Sequence, residues 1–273
     1  MRILKPMSLL LPQDDSSHRG AFTLAELLTT MVIIAILVSL LSAALNHTKT
    51  RALQVTCLSN NLKQLQFAWF MYIDDNDNRL PLNQTDPEPV DHRIFGWKNS
   101  TNSWVVGSPK EDLTTENIKK GTLFPYVKAP ELYRCPLDRS TVAGHDAVLR
   151  TRSYAMNAYL NGDQAGPRVK TRFSELVNPT PEKVFVFIEE HEKSLWAGTF
   201  FVVPRENFSL TGGSWISTPA DRHDQGCNLS FADGHTEYWR WYWPKTANLD
   251  NKLTSNSKEL LDLRRLQAAL PRP

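Results

Sequence analysis

The chain has 273 residues, with 31 Lys and Arg against 29 Asp and Glu, a net charge of +2 and 41% hydrophobic residues. That near-balance argues against a dedicated nucleic-acid binder, which shows a basic excess or stripe. The composition excludes disordered, collagenous and cysteine-rich classes, and the length admits one sizeable domain with an appendage, or two small domains.

The opening stretch, "MRILKPMSLLLPQDDSSHRG", makes a poor helix because Pro6, Pro12 and the Asp14-Asp15 pair interrupt its apolar patch. Residues 27–46 then run for 20 positions without a charge, about 30 Å of helix at 1.5 Å per residue, which matches a bilayer core. A generic transmembrane anchor fits this run. So does a secretory signal peptide, since Ser42 and Ala44 form an A-x-A-like pattern, although such a peptide has an apolar region of about 7 to 15 residues after a short basic stretch. Here the run is longer, and about 20 mostly polar residues precede it. Glu26 opens the run, and a lone carboxylate in hydrocarbon costs several kcal/mol unless it neutralises or finds a cation.

The residues around Glu26, "GAFTLAELL", resemble the processing site of type IV pilin-like proteins, where a membrane prepilin peptidase cuts before F-T-L-x-E and methylates the new N-terminus. The resemblance implies a leader over residues 1–21, a cut after Ala21, N-methyl-Phe22 as the first residue and Glu26 as the fifth. Gly is the commoner residue before the cut; here Gly20 lies one step earlier, which places the scissile bond to within one residue. It also implies a cation for Glu26, the N-terminal ammonium of a neighbouring pilin-like subunit, while a wet position at headgroup depth is the plain alternative. Arg2, Lys5 and Arg19 before the run balance Lys49, Arg51 and Lys63 after it. The leader therefore sets the orientation: N-terminus cytoplasmic, a single span over 22–46 in inner-membrane lipid, and the head outside the cytoplasm.

No proline occurs between Pro12 and Pro81, and Val55, Leu58, Leu62, Leu65, Trp69 and Tyr72 recur at helical spacing. The expectation is one helix from Phe22 to about Ile73, about 78 Å long, whose 47–75 portion packs on a head of residues 76–273. "DDNDNRLP" stops it, because Asp and Asn compete for the backbone and the residue before Pro81 leaves the helical region. Asp74, Asp75 and Asp77 read as a solvated stop. An EF-hand loop is excluded by Arg79 at the fifth position, while calcium stays a candidate because some secretion pseudopilins bind it in the head.

Downstream, "TTENIKKGTLFPYVKAPELYRCP" reads as a short helix with Pro-rich turns, and "KVFVFIEE", "GTFFVV", "CNLSFADG" and "HTEYWRWYW" as strands. The fold class is α+β: a long N-terminal helix, transmembrane in its first half, packed on an antiparallel β-sheet head in the pilin-like manner. Asp233-Gly234 marks a two-residue hairpin turn. His223 lies ten residues before Asp233, and this H-x9-DG spacing, with "CLSNNLKQL", Cys135-Pro136 and "SYAMN", resembles a large group of pilin-like proteins.

His223, Asp224, Asp233 and His235 carry metal-ligand chemistry, zinc or calcium being the candidates; an imidazole bonded to a turn carboxylate is the alternative that needs no cofactor. Cys57, Cys135 and Cys227 have no CxxC spacing. Outside the cytoplasm one disulfide can form, with Cys57 to Cys135 the preferred pair, or all three serve as small apolar residues. Trp239, Trp241 and Trp243 share a strand face opposite Tyr238 and Tyr242, suited to core or subunit contact, or to stacking on sugars if exposed. "NSKELLDLRRLQAAL" is an amphipathic helix with Asn256 as N-cap and Glu259 in capping-box position; it docks on the head or frays. No nucleophile elbow, H-E-x-x-H, P-loop or G-x-G-x-x-G occurs, so nothing here supports an enzyme. The expected function is a structural subunit of a type II secretion pseudopilus or type IV pilus-like filament. The alternative is a membrane-tethered module whose aromatic head binds a polysaccharide.

Overall fold

A backbone free of proline over this length can stay helical, and it does. The computed structural model describes residues 23–91, 94–164, 166–207, 213–245 and 252–273. Helix α1 covers Leu24–Thr56 and helix α2 covers Lys63–Asp75, with a π-helical turn, Cys57–Leu62, between them. The expected helix thus carries one wide turn and runs two residues past Ile73. Leu62, Leu65, Trp69 and Ile73 are buried, Tyr72 is half-buried, and Val55 is exposed, so the stripe becomes a core face only from the wide turn onward. The stop works as expected: Asp77 and Asn78 take positive φ of 52° and 66°, and Asn76 Nδ2 donates to Tyr72 O at 2.7 Å.

Two strands, β1 (Thr85–Asp91) and β2 (Ile94–Asn99), pair antiparallel, and two one-turn helices follow, α3 (Glu116–Lys119) and α4 (Phe124–Val127). A small pair, β3 (Thr141–Val142) and β4 (His145–Leu149), precedes the central sheet. That sheet is built from β5 (Tyr154–Asn157), β6 (Phe185–Glu189) and β7 (Thr199–Phe200). After β8 (Ser214–Trp215) it is completed by β9 (Gly226–Phe231) and β10 (Thr236–Arg240). Strand β11 (Lys252–Leu253) pairs with β8, and helix α5 (Ser257–Ala268) closes the fold.

The sheet order is β10-β9-β6-β5-β7, antiparallel except that β7 joins β5 in parallel. Only two residues of "GTFFVV" form this edge. Gly198 begins it where a Cβ would lie 2.7 Å from Val105 Cγ1 and 2.8 Å from the Trp104 ring, and Trp104 Nε1 donates to its carbonyl at 3.0 Å. β6 is buried at every position, as a central strand covered on both faces must be. One core joins Leu62, Leu65 and Trp69 to Val186 and Phe187; the other joins Phe185, Ile188, Leu229 and Trp239 to Leu263 and Leu266 of α5. The sheet therefore lies between the wide turn with α2 and α5.

The β9–β10 loop has three residues, not two. Gly234 N donates to Phe231 O and Phe231 N to His235 O, both at 2.9 Å, with Gly234 at φ 99°. This is the three-residue hairpin with glycine in the bulge position. A type I turn over residues 231–234 needs positive φ only at its last residue, which Gly234 supplies.

Candidate functional site

The π-helical turn carries Cys57 inward to the sheet, and three other segments meet it there. Asn61 of the turn donates through Nδ2 to Arg134 O at 2.8 Å, which sets Cys135 opposite Cys57. Ser153 Oγ accepts from Cys135 N at 3.1 Å and donates to Asp138 Oδ2 at 2.6 Å, so "SYAMN" holds the Cys-Pro segment in place. Tyr154 Oη lies 2.7 Å from Cys57 Sγ. Cys57 Sγ donates to Glu189 Oε1 at 2.5 Å, His223 Nε2 lies 2.9 Å from the same oxygen, and Cys135 Sγ lies 3.3 Å from His223 Nε2. All five residues are buried.

The charges in this cluster are interdependent. Burial pushes the His223 imidazole down, but the Glu189 carboxylate and the Cys135 sulfur together more than offset it and hold His223 up at about 10. Burial likewise pushes the Glu189 carboxyl up, yet His223 and then Arg222 hold it below the usual carboxylate range. Burial drives the Cys57 thiol well above its ordinary value. For Cys135 burial acts the same way but loses to the bonds from Cys57 and His223, which pull it down. Arg222, half-buried alongside, donates to Glu190 O at 3.2 Å and lies 3.8 Å from Asp138 Oδ2.

The N-terminal end has a second arrangement. Thr23 N and Thr23 Oγ1 donate to Glu26 Oε2 at 2.9 and 2.8 Å, and Glu26 N donates back to Thr23 Oγ1 at 3.3 Å. This is a capping box, T-x-x-E, at the start of α1. Gly20, Ala21 and Phe22 lie outside the described residues. Leu24–Ser42, of mean hydropathy 2.5 with none of it buried, is long and apolar enough to cross a membrane. The chain carries the prokaryotic N-terminal methylation motif over residues 16–42. No curated protein and no solved structure matches it.

The motif match takes in the stretch around Glu26 and the exposed apolar helix long enough to cross a membrane, and it ends before the head. The two ends of the H-x9-DG stretch serve different places in the head. His223 sits in the cluster, its N–H bonded to Gly226 O at the start of β9, while Asp233 and His235 lie past the other end of that strand. Six residues of strand span about 20 Å, so His223 and the Asp233–His235 pair do not meet around one ion. At the exposed turn Asp233 Oδ1 accepts from His235 N at 3.1 Å and lies 2.5 Å from its Nδ1, and the imidazole stacks on Phe231 at 4.4 Å. Asp224 lies in the turn before β9 with positive φ, its side chain exposed.

The structure brings Cys57 and Cys135 together as free thiols, and Cys227 is a separate buried thiol. Among the described residues, Cys57, Cys135, Glu189 and His223 form the group whose donor atoms all lie within 4.8 Å of one another. Sequence reading missed Glu189 and Tyr154 as members. The signal for Glu189 was a carboxylate ending an apolar run in "KVFVFIEE". Of the indole row, Trp239 and Trp241 are buried in the α5 core and only Trp243 is substantially exposed, so the face suited to stacking on a sugar is not on the surface.

Proposed function

We propose that this chain is a structural subunit of a pilus-like filament, either a type II secretion pseudopilus or a type IV pilus-like system. Prepilin peptidase removes residues 1–21 and methylates Phe22, the 22–46 segment waits in the inner membrane with its N-terminus toward the cytoplasm, and residues 76–273 form an extracytoplasmic head on the 47–75 helical segment. The observation that carries this reading is the methylation motif at the head of an apolar helix with no buried residue. Glu26 then acts twice: in one subunit it caps the helix through Thr23, and in the filament it meets the N-terminal ammonium of a neighbour.

Those two roles separate by substitution. Glu26→Gln keeps an acceptor for Thr23 and so preserves the cap, while it removes the charge that an ammonium requires. Glu26→Gln is therefore expected to insert and be processed, with methyl-Phe22 in the mass spectrum of the mature N-terminus, yet fail to enter filaments. A variant that assembles like the parent confines Glu26 to capping; an N-terminus at Leu45 or an intact Met1 removes the prepilin reading itself.

A further inference from the structure

We propose that Cys57, Cys135, Glu189 and His223 form a buried binding site for a zinc-type divalent cation, which fastens the π-helical turn to the central sheet. Two sulfurs, one imidazole nitrogen and one carboxylate oxygen make a four-donor set of the closed structural kind. Sulfur donors select against calcium and magnesium, which take oxygen. In a tetrahedral site with bonds of about 2.0 to 2.3 Å, neighbouring donors stand about 3.3 to 3.8 Å apart. Here Cys135 Sγ and His223 Nε2 are 3.3 Å apart, His223 Nε2 and Glu189 Oε1 2.9 Å, and all four donors lie within 4.8 Å. A cation enters by spreading the short contacts by about an ångström.

The surroundings fit the same assignment. Glu189 Oε2 is buried with no hydrogen-bond partner, so the protein's own bonds use half of the carboxylate and leave a second donor for an ion. Tyr154 Oη, 2.7 Å from Cys57 Sγ, can donate to a bound thiolate, and Asn228 Nδ2 reaches Glu189 Oε1 at 3.5 Å. Such outer bonds orient metal ligands. Two thiolates and a carboxylate around a divalent ion leave one negative charge; the half-buried Arg222 guanidinium, which also pairs with Asp138 and Glu192, attracts the Glu189 carboxylate. Cys57 arrives on a π-helical turn, the widening of a helix that recurs at functional sites. The ligands come from residues 57, 135, 189 and 223, so the ion would cross-link the helical segment to three separate parts of the head. The inference stands apart from the filament reading, because it concerns the isolated chain.

The test uses the full chain, tag-free and in detergent, equilibrated with Zn²⁺ alone, dialysed and analysed for bound metal, with Co²⁺ as a spectroscopic substitute. The expected result is one Zn²⁺ per chain, the intense visible bands of tetrahedral cobalt–thiolate coordination, and a thermal midpoint that falls on chelation. Cys57→Ser and His223→Ala lose the metal, Cys227→Ser keeps it, and Glu189→Gln, which preserves volume and hydrogen bonding, lowers the zinc retained. The cobalt spectrum decides the matter on the parent protein even where a variant fails to fold. A metal-free chain with all three thiols reactive on unfolding overturns the proposal, and so does a freshly isolated chain with Cys57 and Cys135 joined as a disulfide.

Discussion

Lys110 places an ammonium where water is scarce. Its Nζ lies 3.2 Å from the centre of the Trp196 ring and donates to Lys193 O at 3.0 Å, contacts that hold it in place but do not replace its hydration. Burial, with Arg150 acting in the same direction, lowers its pKa to about 7. An unfolded lysine titrates near about 10.4, so between the two values the unfolded chain holds a proton that the folded one has released. The contribution is fully present above the unfolded value and is lost as pH falls through the folded one. Lys110→Met deletes this dependence. Urea midpoints measured at about pH 6.5 and about pH 9 should therefore show the parent gaining on the variant as pH rises; a constant gap contradicts it. At this scale the sequence was informative about identity and silent about proximity. Cys57, Cys135 and His223 were each singled out, but His223 was grouped with Asp233 and His235, its neighbours along the chain. Its partner is Glu189, 34 residues away, and Cys57 reaches that carboxylate across 132 residues. No spacing rule spans such separations.

Helix α5 shows what an element needs in order to dock rather than fray. Asn256 Oδ1 accepts from Glu259 N at 3.0 Å, and Glu259 reaches back to Ser255 N at 2.6 Å and across to Trp215 Nε1 at 3.1 Å. Leu263 and Leu266 face the sheet. Asp262 then clamps the end of the β9–β10 hairpin, accepting from Tyr242 N at 2.9 Å, Trp243 N at 3.1 Å and the wholly buried Lys245 ammonium. Asp262→Ala leaves that cation buried without its partner, at an expected cost of about 3–5 kcal/mol in urea unfolding. Asp262→Asn, which keeps an acceptor, should cost less. An alanine variant within about 1 kcal/mol of the parent means the clamp is not needed. The cap, the amphipathic face and the strands β6, β9 and β10 were legible because each follows from local pattern. The wide turn at Cys57–Leu62 was not, since buried positions three and four apart fit an α-helix and a helix with one π turn equally well. β7 shrank from six expected residues to two because its flanks bond elsewhere: Gly198 packs on Trp104 and Val105, Phe201 pairs with Ser217, and the Val202 and Val203 carbonyls accept from Tyr159 and Gln267.

The whole molecule divides its hydrophobic residues between two solvents. It forms two compact units, Met1–His47 and Thr48–Pro273. In the first, Leu24–Ser42 keeps its Leu, Ile, Val and Met side chains exposed, an arrangement that water penalises and lipid does not. Both protein cores lie wholly in the second, and among the described residues their members begin at Cys57. This division was the most legible feature of the sequence, because a charge-free run of membrane length and a patterned remainder differ in composition alone. It also sets a physical limit on what Leu24–Ser42 can contribute: a segment with no buried side chain adds nothing to core packing, so the head's stability should be independent of it. A fragment comprising Thr48–Pro273 is therefore expected to fold cooperatively. Its unfolding free energy from urea titration in detergent should match that of the full chain within about 1 kcal/mol, because every residue of both cores is retained. Circular dichroism and tryptophan fluorescence report on the helices and on the buried Trp69, Trp104 and Trp241. A fragment that loses its near-ultraviolet signal, or unfolds at markedly lower urea, means that residues before Thr48 take part in holding the head together.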